Sequence, residues 1–214
     1  MNQRISTLFL KSLDNVKSTK QKAVLKAGLV LFSEKGFENT STSDIAKKAG
    51  VAEGTVYKQF KTKEAILAAI ITPIIEEVVP QIVTDFLTEI TQEKQVSLKT
   101  FIHHILVNRL QFVVDNLPQV RILARELFTN QQFQEQIKLS FVKLFNSQLI
   151  DVFDYYKKQG QLVDWSNDRI IRYIAGTIAS YLIPEILLPE IKIDVAQVSD
   201  EATEFLIKGL TPQK

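Results

Sequence analysis

Within five residues the chain sets a hydroxyl, a phenol, an ammonium and a carboxamide: Thr55, Tyr57, Lys58 and Gln59. Groups of this kind serve nucleic acid. All four can donate to phosphate oxygens, a lysine also donates to guanine O6 or N7, and a glutamine pairs bidentately with adenine. The sequence pairs no nucleophile with a base in a recognisable motif, and its carboxylates are scattered as on helix surfaces, so no enzyme activity is expected. His103 and His104 are adjacent. Neighbours on a helix point about 100° apart and cannot share an ion, so neither a metal nor a cofactor is expected.

The elements that position these side chains can be read from caps and spacing. Ser41 caps a helix whose third residue is Asp44, close to a capping box. Ile45 and Ala49 share one face, and Ala46 is small enough for a second helix to pass. Gly50 stands where the chain must turn with positive φ, and Val51 plugs the turn. The second helix, about 53–60, buries Val56 and Phe60 four residues apart and leaves the four polar side chains outside. An ordinary antiparallel helix pair has the same Ala-x-x-x-Gly spacing, so the flanks decide. Val24, Ala27, Leu31 and Phe32 form an amphipathic helix that stops at Lys35-Gly36, and Thr62 caps a helix opening with Lys63 and Glu64.

Taken whole, residues 20 to about 69 resemble the N-terminal domain of TetR-family transcriptional regulators. Lys35-Gly36-Phe37, Thr40-Ser41, Asp44-Ile45-Ala46, Ala49-Gly50-Val51, Gly54-Thr55-Val56-Tyr57, Phe60 and Lys63-Glu64 all fit in register. The resemblance implies that Thr42, Ser43, Tyr57 and Lys63 touch phosphate. It also implies that Glu53, Gly54, Thr55, Lys58 and Gln59 reach bases or nearby backbone. Two positions depart from the family. Ala52 stands where a capping Ser is usual, and a lost cap costs about 0.5 to 2 kcal/mol, partly offset by Glu53 at the helix start. Gly28 stands where Ala is usual, which softens its helix by roughly 1 kcal/mol.

Charge agrees with this reading. Residues 1–63 carry 12 Lys or Arg against 5 Asp or Glu, a net +7, while the rest carries 14 against 19, a net −5. The basic part coincides with the helix-turn-helix, as an electrostatic footprint on duplex DNA requires. No cysteine occurs, which excludes disulfides, thiolate zinc sites and a catalytic thiol. The apolar run Leu8-Phe9-Leu10 is too brief for a signal peptide or a membrane span, so a cytoplasmic protein without membrane contact is expected. Residues 1–19 read as a mobile or weakly helical arm carrying Arg4, Lys11 and Lys17.

Beyond Lys63 no strand alternation or Gly-rich phosphate loop occurs. The fold class is all-α: a three-helix DNA-binding domain over 20–66, then a larger helical ligand-binding and dimerisation domain over 67–214. Pro73 and Pro80 should kink or break a linker helix. Phe133, Ile137, Phe141 and Val152 trace one long face, and Pro184 and Pro189 should end a helix capped by Ser166. The apolar, aromatic second domain suggests a small apolar or amphipathic effector held by Phe101, His104, Asn108, Phe112, Arg125 and Phe141. Asn108 interrupts an apolar stripe, where an unpartnered polar group would be costly. The resemblance implies a homodimer through the last two long helices, with Ile174, Ile178, Tyr181, Ala202 and Phe205 at the interface. The function expected is a repressor bound to a palindromic operator and released by its effector. A DNA-bound adaptor recruiting a protein is the alternative, and a DNA-independent helical or lipid-binding module stands further off.

Overall fold

The computed structural model describes residues 4–16, 18–91, 96–145, 148–188 and 192–213, with the side chains of 15, 140, 141, 143–145 and 148 left aside. The fold is all-α, and no strand occurs among the described residues. The chain forms two compact units, one comprising the chain up to Ile82 with Asn116–Ile137, the other Val83–Asp115 with the chain from Lys138 onward.

The first unit begins with α1 (Ile5–Ser12), a docked helix where a mobile or weakly helical arm was expected. Ile5, Leu8 and Phe9 recur at helical spacing and are buried, against α5 (Lys63–Pro73) and the turn that follows it. The Ile5 N–H donates to Asn116 Oδ1 at 2.7 Å. The Leu8-Phe9-Leu10 run is thus largely a packing face; Lys17 lies outside the described residues.

Helix α2 (Thr19–Lys35) is capped by Ser18 Oγ, which accepts from the Gln21 N–H at 3.2 Å. A Cβ on Gly28 would meet Ile66 Cγ2 at 3.0 Å and Ile70 Cδ1 at 3.1 Å. The residue that weakens α2 by propensity is therefore what lets α5 lie close against it.

The prolines do not break the linker helix. Helical structure continues from Lys63 to Thr91, with one π turn, Ile74–Val78, between α5 and α6 (Val79–Thr91). Each proline removes a backbone donor, and the five-residue reach of the π turn absorbs the mismatch. This run and α11 (Asn167–Leu187) are long and apolar enough to cross a membrane by length and composition alone. Here Ile66, Ile70, Ile71, Ile74 and Ile75 of the run, and Ile170, Ile171 and Ile174 of α11, are core residues.

In the second unit α7 (Leu98–Asp115) packs against α11 and α12 (Val195–Leu210), with α10 (Gln148–Lys158) in the same core. Phe101 meets Phe153 edge-on at 6.4 Å and Tyr156 at 5.5 Å. The Tyr156 hydroxyl donates to the Val96 carbonyl at 2.9 Å, satisfying the polar end of a fully buried ring. Helix α8 (Leu117–Thr129), placed in the second domain by the sequence, packs on α2 in the first unit.

Two further expectations are corrected. Pro184 lies inside α11, which runs on to Leu187; only the bond from its missing N–H is lost, and the Leu188 N–H still reaches the Pro184 carbonyl at 2.8 Å. Pro189 lies outside the described residues. Ser166 holds the N-cap position of α11 but makes no side-chain cap; its hydroxyl bonds the Asp168 carboxylate instead. The expected long face is carried by α9 (Gln131–Phe145) and α10.

Candidate nucleic-acid interface

Helix α3 (Thr42–Ala49) opens with the full capping box. Ser41 Oγ accepts from the Asp44 N–H at 3.0 Å, and Asp44 Oδ2 accepts from the Ser41 N–H at 3.1 Å. Donation from the Ser41 N–H first, then from its hydroxyl, with lesser help from Lys35 and Lys47, holds the Asp44 carboxyl below its ordinary value. At the other end Gly50 takes φ 67° and ψ 33°. The Val51 N–H reaches the Ala46 carbonyl at 3.1 Å and the Gly50 N–H the Lys47 carbonyl at 3.3 Å, the paired bonds of a Schellman turn.

That turn delivers α4 (Glu53–Gln59), the element carrying the groove chemistry. Val56 is fully buried and Phe60 nearly so, anchoring the inner side. Glu53, Gly54, Tyr57 and Lys58 are exposed, and Thr55 and Gln59 half-buried. No side chain caps α4, as Ala52 dictates. Thr42 Oγ1 donates to Glu53 Oε1 at 3.2 Å and stands 3.0 Å from the Tyr57 hydroxyl, so α3 and α4 are tied at their polar ends. Ser43 is exposed in the first turn of α3.

The starts of α3 and α5 converge on an open cleft of about 540 Å³ lined by residues that include Ser41, Thr42, Tyr57, Lys61, Thr62 and Lys63. Helix N-termini present free N–H groups and positive dipole ends, so such a cleft suits a phosphate. Lys61 was missed by the sequence reading, although a lysine just ahead of a capping Thr62 is the signal that marks it. Lys63 is turned inward. Its ammonium donates to the Phe37 carbonyl at 2.8 Å and lies 4.3 Å over the Phe37 ring.

The second unit has a half-open apolar cavity of about 140 Å³, lined by Phe86, Ile105, Arg109, Leu149, Phe153, Ile171, Ile174, Ala175 and Ile178. None of Phe101, His104, Asn108, Phe112 and Arg125, the described residues among those expected to hold an effector, lines it. Phe101 is core, His104 is exposed, and Arg125 belongs to the first unit, bonded to Glu38 at 2.9 Å and stacked on Phe37. Asn108 and Phe112 stand beside the wall residue Arg109 instead: Asn108 Oδ1 accepts from Arg109 Nε at 2.9 Å, and the guanidinium lies 5.1 Å over Phe112. The Phe141 side chain lies outside those described. Arg109 itself was missed, since nothing in the local pattern singles it out.

Comparison with known proteins bears on the same segment. The model of bacterial regulatory proteins of the tetR family matches residues 24–70. An uncharacterised HTH-type transcriptional regulator of Bacillus subtilis, YvdT, is 47% identical over 53 residues, which are 25% of this chain and 27% of that protein. The fatty acid metabolism regulator protein of the same organism is 24% identical over 198 residues, 91% of this chain and 97% of its own. The likeness to the tetR family is carried by residues 24–70. Solved structures agree in fold. FadR from Bacillus subtilis in complex with stearoyl-CoA matches at TM-score 0.60 and 23% identity over 87% of this chain and 97% of that one. A TetR/AcrR-family regulator from Thermobifida fusca matches at TM-score 0.61 and 24% identity over 90% and 98%.

The residues expected at a subunit interface divide by orientation. Ile174 and Ala202 are buried within the subunit, Ile178 and Tyr181 are half-buried, and Phe205 is 68% exposed. Ile183 and Leu187 of α11 are exposed, neither anticipated from sequence.

Proposed function

We propose that this protein is a TetR-family transcriptional regulator, a repressor that binds a palindromic operator as a homodimer and is released by a small, largely apolar effector. The observation that carries the reading is α4, anchored by Val56 and Phe60 and presenting Glu53, Gly54, Thr55, Lys58 and Gln59 beside a cleft where two helix starts converge. Thr42, Ser43 and Tyr57 stand at the rim suited to phosphate, and the inward Lys63 braces the loop after α2 while exposed Lys61 adds positive charge. Two such helices on one duplex face need a fixed separation, and the exposed Ile183, Leu187 and Phe205 support pairing of the last helices. The apolar cavity supports an effector site, and a full-length relative that regulates fatty acid metabolism supports an effector with an apolar body. The helical run Lys63–Thr91 is the continuous route by which the effector acts on α4. A cytoplasmic location goes with this reading.

The test is selection of duplexes from a fragmented genome at fixed salt, with and without lipophilic compounds, alongside the mass of the protein in solution. A short palindrome near one or two promoters, lost on adding a compound, is the expected outcome. Many dispersed sites would favour an adaptor, and selection of no sequence would overturn the regulator reading.

A further inference from the structure

Glu38 stands in the wall of two clefts of the first unit. One is the open cleft where α3 and α5 begin, which Lys61, Thr62 and Lys63 also line. In the other, Glu38 shares the wall with Ser33 and Gly36 at the end of α2 and with Arg121 and Arg125 of α8. Arg125 lines this second cleft and not the first, and its guanidinium meets the Glu38 carboxylate at 2.9 Å. The Glu38 side chain is 75% exposed, and no other described group bonds its carboxylate.

The pair is fixed from the Arg125 side. The guanidinium lies 4.6 Å over the Phe37 ring, and Lys63 Nζ lies 4.3 Å over the same ring. Stacking restrains a guanidinium before any carboxylate arrives, so this pair loses less side-chain freedom than an ordinary surface pair. A second carboxylate in the field of Arg125, Glu64, is held elsewhere. Its own N–H and the Thr62 hydroxyl keep that carboxyl below its ordinary value, with Lys63 and Arg125 lesser causes. Lys61 is exposed and makes no ion pair among the described residues.

A free carboxylate at the lip of a cleft lined by cations competes with any phosphate for them, and repels the phosphate that arrives. We propose that Arg125 is a positioning residue for DNA binding: it holds the Glu38 carboxylate on its own side and so leaves the cleft of Lys61, Thr62 and Lys63 open to a backbone phosphate. The proposal rests on reading that cleft as a phosphate site, and it adds a residue of α8 that acts through Glu38 and does not touch DNA.

The experiment is a double-mutant cycle, read as binding of the full-length protein to a mixed-sequence duplex at fixed low salt, where phosphate contacts supply the affinity. Arg125→Gln is expected to weaken binding about three-fold or more, within what an exposed ion pair is worth. Glu38→Gln alone should bind as well as the unaltered protein or better, and in its background Arg125→Gln should cost nothing further. Arg125→Lys should keep most of the affinity. A direct contact between Arg125 and DNA, or a merely structural role, would leave the loss in place in the Glu38→Gln background, and that result would overturn the proposal. So would an Arg125→Gln protein that binds like the unaltered one. Either failure, with the unaltered protein still on the duplex, leaves the reading of the cleft standing; if the unaltered protein binds no duplex, that reading falls and takes the proposal with it. Arg125→Met, which keeps an apolar stem over Phe37, replaces Arg125→Gln should that variant fail to fold.

Discussion

The Tyr57 phenol donates to the Thr42 hydroxyl at 3.0 Å, because Thr42 directs its single proton to Glu53 Oε1 at 3.2 Å. A phosphate oxygen only accepts, so Tyr57 must leave Thr42 to hold one. Tyr57→Phe keeps the ring and removes that option. Its operator affinity should fall about ten-fold, with stability unchanged within about 0.5 kcal/mol and the slope of affinity against salt preserved, since no charge is lost. Unchanged affinity in a binding titration would remove Tyr57 from the interface.

Lys58→Ala separates two roles for the exposed ammonium of α4. As a base contact it should cost about 1 to 3 kcal/mol and relax preference at one position of each half-site. As a phosphate contact it should weaken all sequences alike and lower the salt slope by about 1. Duplex selection with the variant distinguishes the outcomes, and we expect the first.

Gly28→Ala should fail as a stabilising change. Propensity alone favours Ala by roughly 1 kcal/mol, but the new methyl meets the fully buried Ile66 at 3.0 Å, and overpacking costs about 1 to 3 kcal/mol. Thermal denaturation should show a lower midpoint. A higher one would mean that Ile66 and Ile70 yield.

The helix-turn-helix was legible because its determinants are local. Ser41 and Asp44 are three residues apart, Gly50 follows its helix directly, and Val56 and Phe60 share a face four residues apart. What was not legible depends on partners far along the chain. Nothing near Ile5 announces Asn116, its acceptor 111 residues on, so Arg4 and Lys11 suggested an arm. The cavity draws its wall from α6, α7, α10 and α11, and side chains from four helices meet by tertiary packing that periodicity does not encode. Asn108 stands out for its polarity in an apolar stripe, while nothing in the local pattern singles out its neighbour Arg109, the wall residue.

Asp44 should titrate below 3.8, held there by its bonds from Ser41. Because the folded pKa is depressed, the carboxylate supports α3 at all pH values above 3.8, and that support is lost as pH falls through the folded pKa. NMR titration of the Ser41→Ala variant should show Asp44 moving only part of the way back toward 3.8, since the Ser41 N–H, the larger cause, still donates. A value that does not move would assign the depression to that N–H with Lys35 and Lys47.

The docking of α1 bears on how the protein is handled. With the Ile5 N–H held by Asn116 and Phe9 fully buried, Ile5–Ser12 is a structural member of the first unit. A protease site placed within Ile5–Ser12 is shielded from cleavage while the helix stays docked.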